Sequence, residues 1–290
     1  MSNIRIMTDS TACIPPDLAQ KYNIKIIPAA EYIIDGKKYT ENVNITTRDA
    51  YDFIRRDSVS FTTSAVTPGQ VVEAYKQLSQ DSQNILFITI SSKLSAVYKS
   101  ADLGASLFKE SSPQTNIQII DSRSVGGGAG LPVLAAARAA EQGMNAEQVA
   151  SVAEKYLKQT KCFVTMDTIR YIYRIGRASK VSARIGSLLN VRPINQVTEE
   201  GTVEMLERVR SRKAMMERVI ELVKERTTSG NLTFMVSHGD APDLAEELAG
   251  KFKDNFNCRD IIIGDYSPIM GYGGGPGAMC IAFHPDVELS

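Results

Sequence analysis

The sequence predicts an α/β fold in two parts: an N-terminal α/β domain on a parallel sheet, residues 1–159, and a C-terminal α+β domain with a largely antiparallel sheet, residues 160–290. Three observations predict it. Apolar strand-like runs alternate with helical patterns through the first part, the signature of βαβ units. Three of those runs, at 3–7, 85–90 and 116–120, finish in short polar steps containing serine: Thr8-Asp9-Ser10, Ser91-Ser92 and Asp121-Ser122. In an open parallel sheet such ends share one edge, where ligands bind, so they predict one polar crevice. Beyond Thr160 the character changes, and the strands and turns that follow favour antiparallel pairing.

The elements follow in order. Pro15-Pro16 starts a short helix, and 24–27 reads as the second strand. Residues 32–39 read as a hairpin around the Asp35-Gly36 turn. Thr46 and Asp49 make a capping-box pattern for a helix through Phe53 and Ile54. Phe61-Thr62-Thr63-Ser64 reads as an irregular, hydroxyl-rich loop. Thr67-Pro68-Gly69-Gln70 combines an N-cap, a proline at the first helical position and a glutamine at the third, and Val71, Ala74, Tyr75 and Leu78 then recur at helical spacing. The strand at 85–90 leads to a helix opening near Ser95, with Leu94, Val97, Tyr98, Ala101, Ala105 and Phe108 on its apolar side. After the glycine run 126–130, Pro132 opens a helix over 133–140, closed by Gly143. Asn145 and Gln148 cap the next one, and Met144 can staple to Val149.

After Thr160 come a strand at 162–166, a helical turn at 167–173, a loop at 174–177, a helix at 181–189 and a strand at 191–197. Glu199-Glu200-Gly201 turns the chain back into 202–206. An amphipathic helix spans 212–225, followed by a strand at 232–237, a helix at 241–252 capped by Asp240 and a strand at 260–263. A glycine-rich segment, 271–277, precedes the last strand at 278–283.

Composition excludes several classes. Basic and acidic residues balance at 33 each, so nothing in the charge asks for nucleic acid or an anionic membrane surface. No apolar run approaches the roughly 20 residues that span a bilayer, and the N-terminus lacks the apolar region of a signal peptide. Cys13, Cys162, Cys258 and Cys280 are scattered without a C-x-x-C pair, which argues against a disulfide framework or a structural zinc site. These features describe a cytoplasmic protein with no transmembrane segment.

Motifs for nucleotides and nucleophiles are missing. Gly126–Gly130 does not have G-x-G-x-x-G spacing, and no G-x-x-x-x-G-K-[ST] or G-x-S-x-G occurs. His238 ends a strand in Ser237-His238-Gly239-Asp240, while His284 reads as a surface residue beside Pro285. No cluster of His, Cys, Asp or Glu has metal-ligand spacing. What remains is a crevice of hydroxyls at a helix start, where unpaired backbone N–H groups favour an anion. Taken alone, Ser92 or Ser95 reads first as a simple N-cap; the repetition of serine-bearing strand ends favours the crevice.

The residues also carry a resemblance. Thr8-Asp9-Ser10, Thr63-Ser64, Ile90-Ser91-Ser92-Lys93-Leu94-Ser95, Asp121-Ser122, Gly176-Arg177, Ile185-Gly186-Ser187-Leu188-Leu189 with Pro193, and Gly275-Pro276-Gly277 occur in an order and spacing that resembles the DegV family, nearly end to end. That family includes the fatty-acid-binding subunit of bacterial fatty acid kinase. The resemblance implies one long-chain fatty acid buried between the two domains, its carboxylate held by Thr63 and Ser95 by motif position. Thr62, Ser64, Ser92, Arg177, Tyr272 and Gly273 are further candidates. Arg177 lies by the portal as a candidate kinase contact. Gly273 stands where the family has a histidine, with the Tyr272 hydroxyl beside it as a substitute. Apolar positions such as Ala135, Ala136, Ala139, Ile185, Leu188 and Leu189 could line the tunnel. The resemblance further implies no catalysis, no cofactor and no metal, the acid being presented to a separate ATP-dependent fatty acid kinase. The competing expectation is a crevice enzyme, a hydrolase or phosphotransferase using Ser95, Asp9 or His238.

Overall fold

The first strand, β1 (Arg5–Asp9), is buried on both faces from Ile6 onward, as a central parallel strand covered on each side must be. The structure, a computed structural model, describes residues 4–41, 43–56, 60–175, 191–227 and 230–287. A 3-10 turn at Ser10–Ala12 and α1 (Pro16–Lys21) return the chain to β2 (Lys25–Ile27), parallel to β1. The hairpin of β3 (Ala30–Ile34) and β4 (Lys37–Thr40) forms as expected, and α2 (Thr47–Arg55) follows with its Thr46–Asp49 capping box made in both directions. Next comes β5 (Phe61–Ala65), which adds to β3 to make a small sheet in the order β4-β3-β5. The sequence read this stretch as a loop. It is a strand because Phe61 and the β-branched Thr62 and Thr63 suit a pleated edge, although its exposed hydroxyls show no alternation that a pattern could detect.

Then α3 (Pro68–Ser79), β6 (Asn84–Thr89), α4 (Val97–Ser111) and β7 (Asn116–Asp121) complete a four-stranded parallel sheet in the order β2-β1-β6-β7. The three serine-bearing strand ends therefore do share one edge. Two helices, α5 (Gly127–Glu141) and α6 (Ala146–Gln159), lead to the second sheet. It is built from β8 (Lys161–Thr165), then, after α7 (Arg170–Arg174), from β9 (Arg192–Val197) and β10 (Val203–Val209). After α8 (Arg212–Arg226) come β11 (Leu232–His238), α9 (Pro242–Asn255), β12 (Cys258–Asp265), α10 (Pro268–Gly274) and β13 (Met279–Pro285). The order is β10-β9-β8-β13-β11-β12. Every pairing is antiparallel except that of β11 with β12. The mixed α/β class, a parallel sheet followed by a mostly antiparallel one, is as the sequence predicts.

The two sheets share α5. From Gly127 to Ala140 only Arg138 escapes full burial, so this helix is covered on all sides. It packs on β1 and on β13 and β11. Its glycines make that approach possible. A Cβ at Gly127 would lie 2.9 Å from the Met235 Cβ and 3.0 Å from the Ala282 Cβ, and one at Gly130 would lie 2.6 Å from the Ala12 carbonyl oxygen. The sequence reading opened this helix at Pro132. The helix instead starts five residues earlier and contains the proline; glycine's poor helix propensity hid a start that close packing imposes.

Other expectations need correction. The glycine-rich segment contains a helix, α10, opened by Pro268 at its first turn. Asp240 does not cap α9: the His238 Nδ1 accepts the Ala241 N–H at 3.3 Å, and the Asp240 carboxylate pairs with Arg55. His284 is buried at 5% exposure, its ring edge-on to Tyr156 at 4.9 Å, because β13 is an interior strand. The helix expected at 181–189 lies outside the described residues.

Two glycine substitutions should have opposite signs. Gly250 is an exposed position in α9 with open space where a Cβ would point. There Gly250→Ala should raise stability in urea by about 0.5–1 kcal/mol. By contrast, Gly130→Ala should lower it by about 2–4 kcal/mol, because backbone blocks the new atom.

Candidate functional site

Between the sheets lies a cavity of about 240 Å³, walled by Ile90 and Val125 from the first sheet's edge, Val164 and Met166 from β8 and the turn beyond it, and Ile172 and Met270 from α7 and α10. None of its lining residues carries a charge. Larger hollows of 460 and 500 Å³ elsewhere are rimmed by exposed charges of both signs, such as Arg123, Lys158 and Glu199 in one and Arg48, Asp52 and Asp240 in the other. Those are wet grooves. The apolar cavity has the lining expected of a small-molecule site, though its volume is a little under the roughly 300–1,000 Å³ that is typical.

Thr63 and Ser95 both line it. Thr63 gets there through strand alternation: with Phe61 and Ala65 it shares the face of β5 whose partners on β3, Tyr32, Ile34 and Ala30, are buried. Thr62 and Ser64 occupy the opposite, exposed face and do not line the cavity. Ser95 sits in the turn before α4. The helix begins at Val97, two residues later than expected, and its N-cap is Ala96, which offers no side-chain cap. Four other helices are capped by their own side chains, at Thr46, Thr67, Asn145 and Ser211. At α4 the only side-chain contact is a long one, from the Val97 N–H to the Ser95 Oγ at 3.4 Å. Beyond Val97, no side chain caps the first turn of α4, and such N-terminal amides are where an external acceptor can bind.

Two carboxylates, Asp9 buried and Asp121 half-buried, hold this turn in place. Asp9 accepts the Ile90 N–H at 2.8 Å and the Thr11 N–H at 3.0 Å. Burial pushes its carboxyl upward, and the bonds from Thr11 and Ile90 pull it part of the way back. Asp121 accepts the Ser92 N–H at 3.1 Å, and the Ser91 Oγ donates to the Gly201 carbonyl at 2.7 Å. The expected polar crevice is therefore largely consumed from within: its acids and serines position the 90–95 turn, and Ser92 does not line the cavity.

Tyr272 and Gly273 both line it. The Tyr272 hydroxyl, however, donates to the Phe61 carbonyl, and its ring stacks on Phe61 at 4.2 Å. It contributes a wall, its proton already committed. The Arg174 guanidinium lies 4.5 Å from the same ring centroid. A Cβ on Gly273 would meet the Ile175 Cδ1 at 3.0 Å, so an isoleucine has taken up the space beside it. Arg177, Ile185, Leu188 and Leu189 lie outside the described residues. Ala135, Ala136 and Ala139 are buried in α5 but do not line the cavity.

The three residues of the enzyme alternative are not assembled here. Only Ser95 lines the cavity, and Asp9 already serves backbone amides. His238 ends β11, its Nε2 lying 3.4 Å from Asp265, and burial lowers its pKa against the pull of that carboxylate. Sequence reasoning missed Met166, Ile172, Tyr266 and Met270. The Ser267-Pro268 step, a helix start, was the one signal that could have flagged the last two. Among the described residues no group of three or more His, Cys, Asp or Glu is placed to hold a metal ion, and no helix is long and apolar enough to cross a membrane.

Comparison with known proteins agrees with this fold. A DegV domain-containing protein of Clostridium perfringens is 29% identical over 281 residues, 97% of this chain and 98% of the relative. A Thermotoga maritima structure, described as a hypothetical protein that reveals a fatty acid binding function, superposes with a TM-score of 0.85 at 25% identity, covering 99% of this chain and 100% of its own. The Streptococcus pneumoniae fatty acid kinase B3 protein, solved loaded with linoleic acid, has a TM-score of 0.86 at 21% identity, covering 98% and 99%. The family model for an uncharacterised protein of the DegV family matches residues 3–286. With that match running from ahead of the first strand to past the last, this chain belongs to the DegV family.

Proposed function

We propose that this chain is a non-catalytic carrier of one long-chain fatty acid, which it presents to a separate ATP-dependent fatty acid kinase. The acid's carboxylate sits at the start of α4 against Thr63 and Ser95, and its chain fills the uncharged cavity. The observation that carries this reading is the uncapped N-terminus of α4 at an apolar cavity. A carboxylate leaves water only when several hydrogen bonds replace its hydration. Two hydroxyls and the first amides of a 15-residue helix are suitable donors, aided by the positive end of the helix dipole. A chain of ~16 carbons contributes roughly 12 kcal/mol of transfer free energy at ~0.8 per CH₂, before ordering and association costs.

The domain boundary at residues 159 and 160 belongs to the same reading: Thr63, Ile90 and Ser95 come from one side of it, Val164, Tyr266 and Tyr272 from the other. No observation favours the enzyme alternative, since a hydroxyl nucleophile needs a base within hydrogen-bond reach and Ser95 has neither His238 nor a free Asp9 beside it. Arg177, near the portal in the family, is our candidate kinase contact. With an ATP-using partner, this reading assigns the protein to the cytoplasm.

Protein purified from bacterial cells should release a long-chain fatty acid into organic solvent, detected by mass spectrometry near one equivalent. Protein that arrives empty and also declines added fatty acid would remove the proposal. Thr63→Ala with Ser95→Ala should weaken binding of the acid by about 10- to 100-fold, the scale of losing hydrogen bonds to a charged group. The matching fatty alcohol should lose less than about threefold; an equal loss for both would place the carboxylate elsewhere.

A further inference from the structure

The outer face of α4 carries two leucines that the rest of the described chain leaves in water. The helix is seated by Val97, Ala101, Gly104 and Phe108, all buried, with Gly104 close against Pro68 and Val71 of α3. Leu103 and Leu107 stand outside that stripe, one turn apart, 46% and 53% exposed. Among the described residues only two other large apolar side chains are as exposed, Ile33 in β3 and Val43 after β4. Beside the leucines, the Ser106 hydroxyl turns back to donate to the Asp102 carbonyl at 3.1 Å, so it asks for no outside partner.

Four exposed charges frame the pair: Lys99 and Asp102 before it, Lys109 and Glu110 after it. Among the described residues none of the four forms an ion pair. Together they cancel, which gives an anionic surface nothing to hold. Their order carries more. Read forward from Lys99, the face runs cation, anion, leucine, leucine, cation, anion. Read backward it runs as the charge complement of itself.

Such a face matches a second copy laid antiparallel across it, as in a twofold, isologous interface. At about 100° per residue, the leucines lie on one flank of the exposed face, Lys99 and Glu110 along its middle, and Asp102 and Lys109 on the other flank. A twofold axis crossing the helix sets each flank against the same flank of the copy. Leu103 then meets Leu107 of the second copy, Lys99 meets Glu110, and Asp102 meets Lys109, each contact made twice.

We propose that this face of α4 is a docking surface for a second copy of the chain, paired antiparallel about an axis between Leu103 and Leu107. One 15-residue helix covers less than the roughly 1,200 Å² at which standard interfaces begin, so the dimer is weak and forms with concentration. Ser95 lies about 15 Å along the helix from the axis. The two cavities therefore sit at opposite ends of the paired helices, beyond the turns that touch.

Sedimentation equilibrium of the full chain at low ionic strength, over about 1–500 µM, should show monomer giving way to dimer with a midpoint near ~100 µM. Leu103→Glu with Leu107→Glu should stay monomeric throughout, with the urea midpoint of the parent, since both side chains are already in water. Lys99→Glu and Glu110→Lys, each alone, should weaken self-association about tenfold, because each sets like charges together at two places. Both changes suit the helix dipole, so the fold is kept. An equimolar mixture of those two variants should regain the parent's dimer, each supplying the charge the other lacks. Monomer at every concentration would overturn the proposal, including monomer that instead sediments with phospholipid vesicles. So would a dimer that survives the double-glutamate change, or a mixture that associates no better than either variant alone.

Discussion

Asp9 bonds the first strand to the turn that carries Ser95, and the site depends on that bond. A carboxylate with no solvent access is costly unless backbone donors surround it. Asp9 meets the condition through Ile90 and Thr11, and in doing so it fixes where β6 stops and which way the chain leaves. Asp121 repeats the device two residues on, at the Ser92 N–H, and Ser91 ties the same turn to Gly201, in the turn that joins β9 to β10. Three anchors on consecutive residues leave the turn little freedom. The start of α4 is therefore aimed by its surroundings and not by a cap at Ala96.

The second constraint is the closeness of the two sheets. They are joined by one helix with almost no side chains on its first turn, so that β11 and β13 approach it on one side and the Ala12 carbonyl on the other. Any larger residue there would spread the sheets and widen the space between them. The narrowness of the cavity follows from the glycine helix as much as from its own lining.

Much of this was legible in the residues. All three capping boxes, at Thr46, Thr67 and Asn145, form as written, because a cap is decided within four residues. The change from parallel to antiparallel pairing near Thr160 was visible as a change in how strands and helices alternate. What stayed hidden was decided at long range. The first turn of α5 and all of α10 are helical against glycine's propensity, held by contacts with β11 and with Tyr51. β5 has β-branched residues that suit a strand, but it needs β3 beside it to become one. His284 is buried because β13 has a neighbour on each side. At the site, a helix start near Ser95 could be read locally, whereas the choice of Thr63 over its hydroxyl neighbours came from the family resemblance, and strand alternation then explained it. Tyr266 had no local signature, since its place in the cavity wall is a property of the packed interior.

The position of β13 bears on how such a chain is made. This strand lies between β8 and β11 in the second sheet, yet follows both in sequence by many residues. During synthesis β8 and β11 each emerge from the ribosome with an open, strongly apolar flank that nothing earlier in the chain can cover, and such flanks invite pairing with other chains. Closure waits for residues 279–285, whose long sequence separation from β8 makes the step slow. Val164 and Met166, which wall the cavity, belong to that unfinished half, so a nascent chain has no such cavity until translation has passed the last strand.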